Sequence, residues 1–151
     1  MIREEPPTGA ASRALFDEYM RLVAERLGDE FSPSPEIFAT ESAFEGPGTA
    51  WVVLYDDGAP VGCGGLRPID SRTAEIKRMF VTAAARGRGH GRTLLTDLER
   101  RAREAGYERV RLYTTEVLGE ARALYDEAGY GHVDAPSVTG RAEDKWLEKR
   151  L

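Results

Sequence analysis

The chain has 151 residues, of which 41% are apolar and 31% are charged. This composition predicts one folded domain over residues 1–151 with a hydrophobic core, and it is unlike that of a disordered chain. The formal net charge of −5 argues against a general nucleic-acid surface, because such surfaces usually carry a basic excess.

The cysteine content argues against a disulfide-linked or zinc-binding protein, and the hydropathy argues against a membrane protein. The single cysteine, Cys63, permits neither an internal disulfide nor a cysteine–histidine zinc set, so we expect no metal and a cytoplasmic location. No stretch approaches the roughly 20 apolar residues that a membrane span needs, and the opening residues are polar and proline-rich, unlike a secretory signal. We therefore expect neither a membrane nor a nucleic acid as a partner.

The first half of the chain predicts a helix followed by antiparallel strands. Apolar residues at helical spacing predict a helix over Ala10–Leu27, which ends at Gly28. Asp56-Asp57-Gly58 is a hairpin turn signal between two strand-like runs. The other predicted elements of this half are a short strand at Ile2–Glu4, a short helical piece around Glu36–Ala43, and strands at Trp51–Tyr55 and Pro60–Arg67.

The second half alternates strands and helices. Apolar spacing predicts a helix over Arg92–Ala105, which Gly106 ends, and a shorter helix over Ala121–Ala128. This β-α-β-α-β order predicts a mixed α/β (α+β) fold. The predicted strands of this half are Thr73–Val81, Arg109–Thr114, Tyr130–Val133 and Lys145–Lys149.

A loop rich in glycine and arginine, Arg86-Gly87-Arg88-Gly89-His90-Gly91, joins a predicted strand to the helix that opens at Arg92. Backbone N–H groups that converge at the start of a helix favour a negatively charged ligand, and glycine allows the backbone to approach that ligand closely. The glycine spacing excludes both the Walker loop and the dinucleotide-binding pattern. We interpret the loop as a pyrophosphate site, although the hexapeptide alone also fits a flexible connector or an RGG-like patch.

Three segments occur in a fixed order: Glu75-Ile76-Lys77-Arg78-Met79-Phe80-Val81, then Arg86-x-x-Gly89-x-Gly91, then Ala123-Leu124-Tyr125-Asp126-Glu127-Ala128-Gly129-Tyr130. From about Val52 to its end the chain thereby resembles the GNAT superfamily of acyl-CoA-dependent N-acetyltransferases. The middle segment is similar to that family's Q/R-x-x-G-x-G/A loop, and the last to its A-L-Y-x-x-A-G-F/Y helix. The resemblance implies a mixed, mostly antiparallel sheet of about six or seven strands, splayed between strands 4 and 5 and flanked by about four helices.

The resemblance also implies the ligands. Acetyl-CoA is the expected co-substrate, and a primary amine, which we take to belong to a small molecule, is the expected acceptor in a ternary complex. The pantetheine arm would lie between the splayed strands, and a bulge near Met79–Val81 would turn one amide towards the thioester carbonyl. The cofactor-binding residues that the resemblance implies are Met79, Phe80, Val81, Arg86, Gly87, Arg88, Gly89, His90, Gly91 and Arg92.

The reaction needs a base, because an ammonium group has a pKa of about 10.4 and must lose a proton before it attacks. Glu75 is the predicted base, on the strand that would border the thioester, and strict alternation puts it on one face with Lys77 and Met79. A surface ion pair with a neighbouring cation is the alternative role for Glu75, and a water chain is the alternative base. Weaker candidates are Glu41, Glu45 and Glu116.

The reaction also needs a proton donor for the departing thiolate, whose parent thiol has a pKa near 8.5. Tyr125 is the predicted donor, because the resemblance directs its hydroxyl at the thioester sulfur; a buried aromatic side chain is the alternative. Many relatives carry an asparagine just before this helix, where the chain has Leu118 and Gly119, so Thr114 or Thr115 is the candidate replacement.

The sequence says less about which amine is the acceptor and about the oligomeric state. Acidic residues in the regions expected around the acceptor suit a cationic amine, and a homodimer is possible for proteins of this kind. The alternative function is a non-catalytic acyl-CoA-binding regulatory domain of the same fold.

Overall fold

One sheet of seven strands organises the structure, a computed structural model that describes residues 1–28, 39–114, 120–136 and 145–151. The strands are β1 Ile2–Glu4, β2 Ala50–Asp56, β3 Ala59–Pro68, β4 Thr73–Val81, β5 Arg109–Thr114, β6 Gly131–Val133 and β7 Lys145–Arg150. They lie in the order β1-β2-β3-β4-β5-β7-β6. The β4–β5 pair is parallel and the other pairs are antiparallel, which confirms the predicted mixed, mostly antiparallel sheet.

Three α-helices are present in the described ranges: α1 Ala10–Leu27, α2 His90–Glu104 and α3 Glu120–Glu127. The sequence predicts about four helices, and the one that is missing is the short helical piece expected around Glu36–Ala43. Its first residues, 36–38, lie outside the described residues, and its described part contains a 3₁₀ turn at Glu41–Phe44. Helix α2 begins two residues before its predicted start, because Gly89 adopts a left-handed conformation (φ 81°) at the N-cap. None of the helices in these ranges is both long and apolar enough to cross a bilayer.

The two faces of the sheet carry separate apolar clusters. On the face that we call the α2 face, Leu94, Leu95 and Leu98 of α2 are no more than 1% exposed and pack with sheet residues such as Val110. This matches the apolar stripe that predicted the helix, since period-3.6 spacing gives one buried side. On the opposite α1 face, Leu15 of α1 belongs to a second cluster with side chains of β2, β3 and β4.

The β2–β3 hairpin is set by its turn residues. Asp57 (φ 53°) and Gly58 (φ 80°) both have positive φ angles, and their neighbours Asp56 and Ala59 pair directly. Two consecutive positive φ angles define the hairpin turn that Asp-Gly favours, so the predicted turn is confirmed. Further along β3, Gly65 has no room for a side chain, because a Cβ atom there would lie 2.8 Å from the Trp51 ring and even closer to Phe44.

Candidate functional site

The parallel strands β4 and β5 pair only along part of their length. Their register runs from Thr73 opposite Arg109 to Glu75 opposite Arg111, and beyond these residues the two strands diverge. This is the predicted splay, and it opens a cavity of about 340 Å³ between the strand ends. The cavity is lined by Tyr19, Leu22, Met79, Phe80, Val81, Ala85, Arg86, Gly87, Gly89, His90, Gly91, Tyr113, Thr114, Ala121, Arg122, Leu124 and Tyr125.

A bulge shapes the β4 wall of the cavity. Lys77 pairs with Gly65 and Phe80 with Cys63, so two residues of β4, Arg78 and Met79, lie opposite one residue of β3. Arg78 takes a left-handed conformation (φ 55°), which is uncommon for a residue with a side chain. The bulge therefore lies at the beginning of the region in which it is predicted.

The bulge also changes which side chains share a face, and here the prediction from strict alternation is wrong. The extra residue shifts the alternation, so Met79 packs against the α2-face cluster instead of lying beside Glu75. Phe80 belongs to the α1-face cluster, where its ring stacks on Tyr19 with the centroids 5.2 Å apart. The cavity thus has walls from both faces of the sheet.

The glycine-rich loop forms the other end of the cavity. Gly87 (φ 80°) and Gly89 (φ 81°) use left-handed conformations that glycine adopts without a steric penalty. The Thr93 N–H donates to the Gly89 carbonyl at 3.0 Å, and Gly89 provides no side-chain cap. The N–H groups that precede Thr93 in the first turn therefore have no partner within the helix, and they form the positive end of its dipole.

Close packing of two helices holds this loop against the rest of the site. A Cβ atom at Gly91 would lie 3.1 Å from Cδ2 of Leu124 on α3, so the first turn of α2 approaches α3 closely. Leu124 and the neighbouring Tyr125 both line the cavity. The third glycine of the loop is thus explained by packing between helices, whereas Gly87 and Gly89 are explained by their φ angles.

The cations predicted at the loop divide into two groups. Arg86 lines the cavity, and its Nε donates to the Val81 carbonyl at 3.2 Å. Arg88 and Arg92 do not line it: Arg88 lies 3.4 Å from Asp56, and Arg92 pairs with Glu127 at 2.5 Å. A cation that the sequence analysis missed, Arg122 of α3, also lines the cavity.

Tyr125 lies in the cavity wall, as the resemblance implies. Its side chain is 7% exposed and meets the Tyr130 ring edge to face, with the centroids 6.0 Å apart. Burial raises the pKa of Tyr125 to about 12, so the phenol keeps its proton at neutral pH. A protonated phenol in an apolar wall can donate a hydrogen bond to an anion that forms beside it.

A second tyrosine, which the sequence predicts only as part of the apolar stripe of α1, lines the same cavity. Tyr19 has a raised pKa, mainly because of burial and, to a smaller extent, because of its electrostatic interaction with Tyr125. The two phenols are thus close enough to affect each other. No local sequence signal distinguishes Tyr19 from a core residue, because its place at the site depends on how α1 crosses the sheet.

Glu75 is the last residue of β4 that pairs with β5, at the point where the splay begins, and it does not line the cavity. Its side chain is 1% exposed; Oε1 accepts from Arg67 at 2.9 Å, and Oε2 lies 3.4 Å from the Lys77 ammonium. Burial lowers the pKa of Lys77, and the negative charge of Glu75 partly offsets this effect. The structure thus gives Glu75 an ion pair with Lys77, as the alternative proposed, but this pair is buried instead of lying at the surface, and it includes Arg67 of β3. The role of Glu75 as the base stays a prediction.

Glu41 and Glu45, the weaker base candidates within the described residues, do not line the cavity. Glu41 is 3.9 Å from Arg13, Glu45 is exposed, and Glu116 lies outside the described residues. Thr114 lines the cavity and its hydroxyl donates to the Lys145 carbonyl at 3.2 Å, whereas Thr115, Leu118 and Gly119 are not described. In the described ranges, no group of three His, Cys, Asp or Glu side chains is arranged to hold a metal ion.

The sequence profile of the Acetyltransferase (GNAT) family matches residues 13–130. The chain belongs to this family. The match includes most of α1, the splayed strands, the glycine-rich loop and the helix that carries Tyr125, which are the elements around the cavity. The family resemblance is confirmed.

Individual relatives agree with this assignment. The chain is 37% identical over 114 residues to the uncharacterized N-acetyltransferase YjgM of Escherichia coli K12, covering 72% of this chain and 68% of YjgM. An acetyltransferase of the GNAT family from Staphylococcus aureus Mu50 has a TM-score of 0.79 at 18% identity, covering 100% of this chain and 99% of that one. An aminoglycoside 6′-N-acetyltransferase complexed with coenzyme A has a TM-score of 0.71 at 19% identity, covering 99% and 96%. At these identities the two structures show a common fold.

Proposed function

We propose that this GNAT protein transfers an acetyl group from acetyl-CoA to a primary amine of a small molecule, by direct attack in a ternary complex. The observation that carries the proposal is the single cavity that runs from the glycine-rich loop, through the splayed strands, to Tyr125. The start of α2 can bind the diphosphate of a coenzyme A thioester, and the buried phenol can donate a proton to its sulfur.

The donor would be held mainly by backbone groups. The diphosphate would accept hydrogen bonds from the N–H groups at the start of α2, with Arg86 and Arg122 adding positive charge. The pantetheine arm would occupy the gap between β4 and β5, whose facing backbone groups are not paired with each other beyond Glu75. The aminoglycoside 6′-N-acetyltransferase of similar fold was crystallised with coenzyme A, which supports this choice of donor.

The chemistry would proceed by direct attack of the amine. The neutral amine nitrogen forms a bond to the thioester carbon, and an amide N–H at the Arg78–Met79 bulge stabilises the negative oxygen. The intermediate then breaks its C–S bond, and the sulfur takes a proton from the Tyr125 phenol. The nitrogen loses its extra proton to water, and water returns a proton to the phenol, so a neutral amine gives the N-acetyl amine and coenzyme A with no net release of a proton.

Transfer through a cysteine is less well supported. Cys63, the single cysteine of the chain, is 1% exposed, and burial raises the pKa of its thiol to about 12. Its Sγ lies 3.6 Å from the Arg78 carbonyl. Because the thiolate is the reactive form, a thiol that stays protonated is a poor nucleophile. A direct transfer needs no such intermediate.

The acceptor would approach from the α1 side of the cavity. That end is formed by Tyr19, Leu22 and Phe80, together with Tyr113 of β5. No Asp or Glu of the described residues lines the cavity, so the structure gives no support to the expectation of an acidic surround for a cationic amine. The amine would therefore be guided by contact with aromatic and apolar side chains more than by charge.

A thiol-release assay tests this function. Acetyl-CoA is mixed with the protein and with a panel of amines that includes an aromatic amine, an amino acid, a polyamine, an aminoglycoside and a peptide. We expect thiol release that depends on one class of small amine, with an equal amount of N-acetyl product detected by mass spectrometry. Calorimetric binding of acetyl-CoA without acceptor-dependent release would instead favour a regulatory acyl-CoA-binding domain.

A further inference from the structure

A carboxylate from a distant hairpin contacts the glycine-rich loop. The Oδ2 atom of Asp56 lies 3.2 Å from Nε2 of His90 and 3.4 Å from Nη1 of Arg88. Because a carboxylate only accepts hydrogen bonds, the His90 Nε2 atom carries the hydrogen in this contact. His90 lines the cavity and is the first residue of α2, whereas Asp56 is the last residue of β2.

The strand that carries this carboxylate is held by hydrogen bonds to both of its neighbouring strands. Asp56 pairs directly with Ala59 across the two-residue turn, and the N–H of the preceding Tyr55 donates to the Met1 carbonyl at 2.7 Å. The hairpin is therefore fixed on both sides of Asp56. The loop, by contrast, contains Gly87 and Gly89 on either side of Arg88, and glycine has more backbone freedom to lose than any other residue.

We propose that Asp56 is a positioning residue, which holds the glycine-rich loop in its anion-binding conformation before the diphosphate arrives. This inference rests on the proposed function, since it takes the diphosphate of coenzyme A as the ligand of the loop. A loop that is ordered in advance loses less conformational entropy when it binds, so the affinity for the ligand is higher.

Elementary electrostatics predicts the opposite effect. A carboxylate near a diphosphate repels it, so the removal of that charge alone would strengthen binding. Positioning predicts that the same removal weakens binding, because a neutral carboxamide accepts weaker hydrogen bonds from His90 and Arg88 than a carboxylate does. The direction of the change therefore distinguishes the two roles.

The test measures coenzyme A binding by calorimetry for the wild type, for Asp56→Asn and for Asp57→Asn. Asp57 is the matched control: it is exposed, it adjoins Asp56, and asparagine tolerates its positive φ angle of 53°. We expect the dissociation constant to rise about three- to tenfold for Asp56→Asn, as for the weakening of two partly exposed charge-assisted contacts. For Asp57→Asn we expect less than about a twofold change.

Two further readouts separate positioning from a general loss of stability. With acetyl-CoA, Asp56→Asn should raise KM while kcat at saturation and Tm stay close to the wild type. With S-acetylpantetheine, which has no diphosphate, KM should not change. A rise in KM for both donors would overturn the inference, because the effect would then not act through the diphosphate.

The outcomes also separate this inference from the proposed function. If wild-type protein produces no heat with coenzyme A, the proposed function fails and this inference fails with it. If the wild type binds and Asp56→Asn binds equally well or more tightly, the proposed function stands and the positioning role is wrong.

Discussion

The hydroxyl of Tyr125 offers the sharpest test of the chemistry. Tyr125→Phe removes that oxygen and keeps the ring, which is 7% exposed and packs edge to face on Tyr130. A hydrogen bond to a charged group contributes about 1.5–3 kcal/mol, and about 1.4 kcal/mol corresponds to a tenfold change in rate. If the phenol serves the departing thiolate, kcat should fall by roughly 10- to 150-fold.

The measurement is the rate of thiol release at saturating acetyl-CoA with the best amine of the panel. The affinity for acetyl-CoA, measured by calorimetry, should stay within about twofold, because the backbone contacts proposed for the donor do not involve the hydroxyl. Tyr107→Phe is a matched control. It removes a phenol that donates to the Gly48 carbonyl at 2.7 Å and does not line the cavity, so it should affect stability and leave kcat unchanged.

A single result would refute this reasoning. If Tyr125→Phe turns over at the wild-type rate with the same acetyl-CoA affinity, the phenol is no proton donor, and Tyr125 is the buried aromatic residue that the sequence left as its alternative. Thiolate would then leave without help from this side chain, or with help from another group of the cavity.

Four further predictions concern stability, the base and the loop. Gly65→Ala should lower the free energy of unfolding by about 1–3 kcal/mol, and Tm by roughly 3–10 °C, because its Cβ would overlap Phe44. Glu75→Gln should lower Tm, since it leaves the buried Lys77 and the half-buried Arg67 without their carboxylate. If Glu75 acts only as the base, the same change should reduce kcat/KM by about 100-fold or more at unchanged Tm. Gly91→Val should weaken coenzyme A binding by about fivefold or more, because the start of α2 must move away from α3. Burial raises the pKa of Tyr125 from 10.0 to about 12, so the folded state favours the protonated phenol. The free energy of unfolding should therefore fall as the pH rises from 10.0 to about 12, and it should fall less steeply in Tyr125→Phe, which has no phenol to ionise.

Controls for these variants come from the same chain. Gly131→Ala adds a methyl group where no atom lies within 4 Å, so its Tm should match the wild type; a loss equal to that of Gly65→Ala would refute the overlap argument. Gly91→Ala places a Cβ 3.1 Å from a flexible leucine side chain and should bind coenzyme A almost normally. Thermal melts by circular dichroism, calorimetry and pH titration supply the measurements.

Local patterns predicted much of the fold. The stripe of α2 follows from its leucine spacing, and the β2–β3 turn follows from Asp57-Gly58, because both depend on neighbours within a few residues. The same patterns misplaced Met79, since period-2 alternation contains no information about an inserted residue. The bulge at Arg78 arises where β4 pairs with β3, and that pairing is a contact between distant parts of the chain.

The sequence by itself determined the order of elements, the glycine-rich loop and the tyrosine of α3, because each is written in residues that are close together along the chain. Only the tertiary structure decided which side chains share the cavity. It brought Tyr19 of α1 and Arg122 of α3 to the cavity, placed the side chains of Arg88 and Arg92 in ion pairs away from its lining, and enclosed Glu75 in an ion pair. The physical reason is that burial and charge pairing depend on how helices cross the sheet and where its strands separate, and residues far apart in the chain determine both.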